Sequence, residues 1–112
     1  MAAIYKQRGE SVDYTPAADV AAGAVVVLED LVGVAKIPIK AGELGALAVE
    51  GVFEFPKATG VGMEAPFGTK LYWDATNQRA TNEDGGLVNR YLGKAVHDVG
   101  ENDPLVRIRL SQ

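Results

Sequence analysis

The stretch VGVAKIPIKAGELGALAVEGVFEFPK, from Val32 to Lys57, alternates large apolar side chains with small or charged ones and places a glycine at each break in the rhythm. A period of two belongs to a pleated strand with one buried face, whereas a helix needs apolar residues three and four apart. From Leu47 the pattern predicts one half-buried strand, interrupted only by Gly51. Leu47, Val49, Phe53 and Phe55 fall on one face of it, and Ala48, Glu50, Val52 and Glu54 on the other. Before it, Ala35, Ile37 and Ile39 share a face opposite Lys36, Pro38 and Lys40, and AGELG supplies a glycine-flanked connection. Pro38 cannot donate a ladder hydrogen bond, which predicts a sheet edge or a bulge there.

The same grammar runs through the rest of the chain. In DVAAGAVVVLEDL the alanines favour helix, but Gly23 followed by Val25, Val26 and Val27 favours a strand entered through a turn, with at most a short helical turn ahead of it. KLYWDATNQRAT reads as a hairpin turning at Ala75, Thr76 and Asn77. YLGKAVHDV and PLVRIRL form a last pair joined by GENDP. In the final strand Val106, Ile108 and Leu110 face inward and Arg107 and Arg109 outward, as at a solvated sheet edge. The expected fold class is therefore all-β, a small single-domain barrel or sandwich. Residues 1–16, polar and ending at Pro16, are expected to be an extended N-terminal arm or edge strand, and residues 17–112 a single compact β-domain.

Composition narrows the function. The 112 residues are 47% hydrophobic and include 13 glycines, enough for one packed core with many turns. A net charge of −4 without a basic cluster argues against binding nucleic acid by phosphate neutralisation. The absence of cysteine removes disulfides, thiol nucleophiles and cysteine-based zinc sites, leaving packing or assembly as the source of stability. MAAIYKQRGE lacks the apolar core of a signal peptide, and the longest apolar run, Val20 to Leu28, is too short to span a bilayer. The expectation is a soluble protein made in the cytoplasm, with no membrane partner.

Each candidate reactive group has a plainer structural explanation. Gly60, Gly62 and Ala65 have dinucleotide-loop spacing, but Pro66 and Gly68 would stop the helix that such a loop requires. GMEAPFGTK has Gly-Thr-Lys where a phosphate loop needs Gly-Lys followed by Ser or Thr. His97 with Asp98, Glu101 and Asp103 lacks any calcium-loop pattern and reads as a solvated hairpin. Ser11 and Ser111 sit near the termini without a nucleophile elbow. Glu50 and Glu54 belong to an exposed strand face, and Trp73 beside Tyr72 to a core or an interface. No catalytic residue, cofactor or metal site is expected.

AGAVVVLEDLVGVAKIPIKAGELGALAVEGVFEFPK, APFGTKLYWD, RAT, YLGKAV and the closing VRIRL, in this order, resemble the small capsid cement, or head decoration, proteins of tailed bacteriophages and prophages. The likeness runs from about Gly23 to Leu110. Members of that family have often carried the label of a predicted RecA/RadA-type recombinase, which would require the phosphate loop this chain lacks. The resemblance implies a structural, non-enzymatic β-protein, commonly a homotrimer, that binds the major capsid protein on the outer surface of the virion. The polar segment ahead of Tyr14 then offers Ile4, Tyr5, Lys6, Gln7 and Arg8 as a strand for pairing with a coat-protein edge. Two other classes stay open: a β-rich adaptor for another protein, and a small hydrolase or nucleotide-binding enzyme.

Overall fold

The computed structural model describes residues 2–4 and 9–112. Nine strands lie among the described residues: β1 (Ser11–Tyr14), β2 (Val25–Leu28), β3 (Leu31–Val34), β4 (Gly45–Ala48), β5 (Gly51–Pro56), β6 (Lys70–Asp74), β7 (Arg79–Thr81), β8 (Arg90–Ala95) and β9 (Leu105–Leu110). They pair antiparallel into two sheets, ordered β1-β4-β3-β2 and β5-β9-β8-β6-β7. Both sheets stay open, so the architecture is a sandwich and not a closed barrel. No helix occurs among the described residues; Ala17 to Ala22 form bends and a turn, closed by the Ala24 N–H on the Ala21 carbonyl at 3.1 Å.

One hydrophobic cluster holds the two sheets together, and a second lies on the far face of the first sheet. Val32 and Val34 of β3 face the second sheet and meet Phe55, Leu71, Leu92, Val106, Ile108 and Leu110, all nearly without solvent contact. Burying side chains of this size contributes about 1.5–3 kcal/mol each. Trp73 closes this cluster against Phe55, with ring centroids 6.0 Å apart. The opposite face of the first sheet carries a smaller cluster of Ala35, Ile39 and Leu47, with Val12, Tyr14 and Val26 packed on it. Reciprocal hydrogen bonds between Val20 and Ile39, at 2.8 and 2.9 Å, tie down the connections that cover this face.

Three details differ from the sequence reading. The strand expected from Leu47 to Phe55 is two strands in two sheets. Ala48 pairs with Ser11 and Val34, whereas Gly51 pairs with Leu110. Gly51 sits at φ +114°, a conformation other residues rarely adopt, and the chain changes sheets there, so that Leu47 joins the cluster on the far face of the first sheet and Phe55 the cluster between the sheets. The common face of Ala35, Ile37 and Ile39 also does not form. Ala35 and Ile39 are anchored to Ala24 and Val20, and the chain between them bows outward, leaving Ile37 69% exposed and Pro38 in a bend-rich connection outside any strand. Finally, β9 alternates as expected but lies between β5 and β8, so its arginines mark a solvated sheet face and not an edge.

Candidate functional site

Of the residues expected to contact a partner, Ile4 is described and 76% exposed, while Tyr5, Lys6, Gln7 and Arg8 lie outside the described residues. The chain then enters β1, the terminal strand of the first sheet, which pairs with β4 through Ser11 to Tyr14.

The glycine-rich segment that resembles a dinucleotide loop folds into a closed hydrogen-bonded structure. Gly60 donates its N–H to the Glu101 carbonyl (2.8 Å), Gly62 to the Glu101 carboxylate (3.3 Å) and Ala65 to the Val99 carbonyl (3.0 Å). The N–H groups that would cradle a pyrophosphate are already engaged, and the chain continues into β6 instead of a helix. The second glycine motif fares the same way, with the Phe67 N–H on Asp98 Oδ1 and the Gly68 N–H on the Ala95 carbonyl, both at 2.8 Å.

Lys57 organises this loop, a role that a strand-end lysine does not announce in sequence. It is 5% exposed, and its Nζ donates to the carbonyls of Ala58 (2.7 Å) and Met63 (2.8 Å). Burial lowers its pKa from the ordinary lysine value, and the nearby Asp103, Glu64 and Glu101 carboxylates oppose that shift. Asn82 closes the far side by donating to the Gly62 and Glu64 carbonyls at 2.7 and 3.1 Å. The result is a fixed loop with Val61 at its tip, 93% exposed.

The acidic group around His97 is structural in the same sense. Asp98 and Glu101 accept the loop N–H groups above, Asp103 Oδ2 accepts the Gly100 N–H at 2.7 Å, and His97 Nε2 accepts the Arg107 N–H at 2.9 Å. Among the described residues no three His, Cys, Asp or Glu side chains gather to hold a metal ion. Glu54 stands beside Arg107 (3.9 Å) on the exposed face of the second sheet, and Glu50 lies in the crossover between sheets. Trp73 is 4% exposed and belongs to the core, while Tyr72 packs edge-on against Tyr91 at 5.8 Å.

Exposed apolar groups stand on ordered supports. Leu87 and Val88, 79% and 74% exposed, project from a loop latched by Arg90, whose guanidinium donates to the carbonyls of Glu29 (2.9 Å) and Leu87 (3.2 Å). Leu87 itself is at φ +75°, a strained conformation for a branched side chain that this latch helps to hold. On the outer face of the second sheet, Val52 opposes Arg109, Arg109 opposes Lys94, and Lys94 opposes Lys70. Shape and surface charge are what these elements present.

A family model described as phage cement protein matches residues 6–110, nearly the whole chain. Neither curated proteins nor solved structures gave a match. No helix among the described residues is long and apolar enough to cross a membrane.

Proposed function

The chain belongs to the phage cement protein family, and on that basis we propose that it binds the outer surface of a tailed-phage capsid, in contact with the major capsid protein, and stabilises the head. The observation that carries this reading is the family match across residues 6–110. The fold is compatible with it: two packed sheets and hydrogen-bonded loops form a preorganised body, which lowers the entropic cost of association. Each copy contributes little, but a protein that touches several coat subunits at once gains from effective concentration. A homotrimer, made in the host cytoplasm and ending on the virion exterior, is the form in which we expect it to act.

Within this reading, residues 1–16 are an arm or edge strand whose Ser11–Tyr14 part is paired into the first sheet as β1, residues 17–112 are the rest of the domain, and Ile4 to Arg8 add to a coat-protein strand through main-chain hydrogen bonds. The test is to titrate purified protein onto expanded shells assembled from the coat protein of its own phage. Bound copies should saturate at a fixed number per shell, and shell dissociation should move to higher temperature. Shells that neither retain the protein nor gain stability overturn the reading. For the arm, the cut must spare β1, because Ser11 and Val12 pair with Ala48 and Leu47. Deleting residues 2–8 should weaken shell binding and leave the melting transition in place; undiminished binding removes the arm from the interface.

A further inference from the structure

The second sheet carries on its solvent face a row of cations that no carboxylate among the described residues neutralises. In register across four adjacent strands stand Val52 of β5, Arg109 of β9, Lys94 of β8 and Lys70 of β6. All four are exposed, while Val106, Ile108 and Leu110 of the same β9 are buried, so the row lies on the outer face. Directly opposed residues of an antiparallel pair project to the same side with Cβ atoms about 4.5–5.5 Å apart, and like charges placed so destabilise the sheet. The neighbouring pair does the reverse, setting Glu54 against Arg107 at 3.9 Å. Among the described residues no carboxylate reaches Lys70, Lys94 or Arg109 within 4.0 Å. This uncompensated positive row belongs to a chain whose net charge is −4.

The row has apolar neighbours suited to a protein contact. Val52, at one end, is 56% exposed, and Phe67, 70% exposed, borders a shallow depression that it shares with Lys94, Arg109 and Ser111. The Phe67 loop is pinned by its bonds to Asp98 and Ala95, so the ring stands on a fixed base. Three cations with a carboxylate in the adjacent row make a poor track for a polyphosphate, which needs a longer positive surface. They match a few carboxylates set at strand spacing.

We propose that this face, the row Lys70–Lys94–Arg109 with Val52 and Phe67 at its margins, docks onto a carboxylate-bearing protein surface of the shell, which supplies the missing countercharge. The proposal rests on the cement reading and specifies which surface turns inward and what chemistry meets it. The bound shell relieves the repulsion within the row, and the apolar margins limit water access to the charge pairs, which strengthens them.

The experiment compares shell binding by the wild type, K70E/K94E, and a control with the same charge change on the first-sheet side, K36E/K40E. Binding is measured at several sodium chloride concentrations, with circular dichroism melts and sedimentation for each protein. The expected result is that K70E/K94E stays folded and loses at least about tenfold in shell affinity. K36E/K40E should bind nearly as the wild type does, and wild-type binding should weaken steadily with salt. Wild-type protein that does not bind shells refutes the cement reading and this proposal with it. Normal wild-type binding that K70E/K94E retains, or that both variants lose equally, refutes this proposal alone. It is also overturned if the row proves to be a contact between copies, seen as self-association lost in K70E/K94E, or if the wild type binds duplex DNA at physiological salt and that variant does not. Should K70E/K94E fail to fold, the K70Q/K94Q variant and the wild-type salt series decide: salt-independent binding refutes the charge contact.

Discussion

Replacing Gly93 by alanine tests whether the close approach of β8 and β9 is as tight as the structure has it. A Cβ at this position would lie 1.8 Å from the Arg109 carbonyl oxygen, 2.8 Å from its carbon and 3.2 Å from Leu110 Cα. Ordinary contact begins near 3.4 Å, so 3.4 less 1.8 leaves about 1.6 Å that only backbone movement supplies. A shift of that size takes one neighbouring ladder bond, and the Ser111 N–H to Leu92 carbonyl bond now at 3.0 Å, beyond hydrogen-bonding range. Two such bonds are worth about 1–3 kcal/mol net. Displacing the fully buried Leu92, Ile108 and Leu110 adds an overpacking cost of about 1–3 kcal/mol. The expected loss is therefore about 2–6 kcal/mol, a large share of the total stability of about 5–15 kcal/mol typical of such a domain. In urea denaturation the midpoint should fall accordingly, and the melting temperature should drop by about 10–25 °C. Gly86→Ala is the comparison, since a Cβ there meets nothing within 4 Å and the backbone, at φ +70°, imposes only left-handed strain of about 1–2 kcal/mol. A Gly93→Ala protein within about 1 kcal/mol of wild type, or no worse than Gly86→Ala, would refute the steric reasoning.

Three further outcomes follow from the packing and the titrating groups. Trp73→Ala removes the ring that packs against Phe55 and should cost about 3–5 kcal/mol in chemical denaturation. Because burial holds the Lys57 pKa below 10.5, the folded protein sheds this proton before the unfolded chain does. Stability should rise with pH between the folded value and 10.5, and Lys57→Met should abolish that increment in urea midpoints measured across the window. The Asp74 carboxylate is held below its ordinary 3.8 chiefly by the Asn77 side-chain amide, then by the Asn77 N–H. Its contribution is present above pH 3.8 and fades as pH falls through the folded value, so Asp74→Ala should separate from wild type at pH 6 and converge with it in acid.

How far the sequence could be read depended on whether a property is local. The inward and outward sides of VRIRL, the turn after Asp74 and the strand beginning at Val25 are decided by alternation and turn chemistry within a few residues, and the structure has them as expected. The passage from β4 to β5 was hidden because Gly51 changes the sheet while preserving the phase of the pattern. Lys57 was hidden for a related reason: its burial comes from the carbonyls of Ala58 and Met63 turning toward it, which no spacing in the sequence encodes.

The cation row, too, depends on contacts between strands and not on local sequence. Arg109 could be read as facing outward from β9 alone, but its position opposite Lys94, and that of Lys94 opposite Lys70, depends on the register of three strands. That register shifts between Leu71 and Tyr72, a β-bulge that re-aims the strand next to the Lys70 pair. Gly93 fixes the other side of Lys94, because only a glycine there lets β8 approach the Arg109 carbonyl so closely. The bulge and the glycine thus flank the same lysine, and together they hold like charges opposite one another at a cost to the isolated sheet. Loosening the β8–β9 approach should therefore weaken shell binding through the geometry of the row as well as through stability. A Gly93→Ala protein assayed well below its melting temperature is expected to lose affinity with all three cations still present. Full affinity in a folded Gly93→Ala protein would mean that the row acts as diffuse charge and that its register is irrelevant to docking.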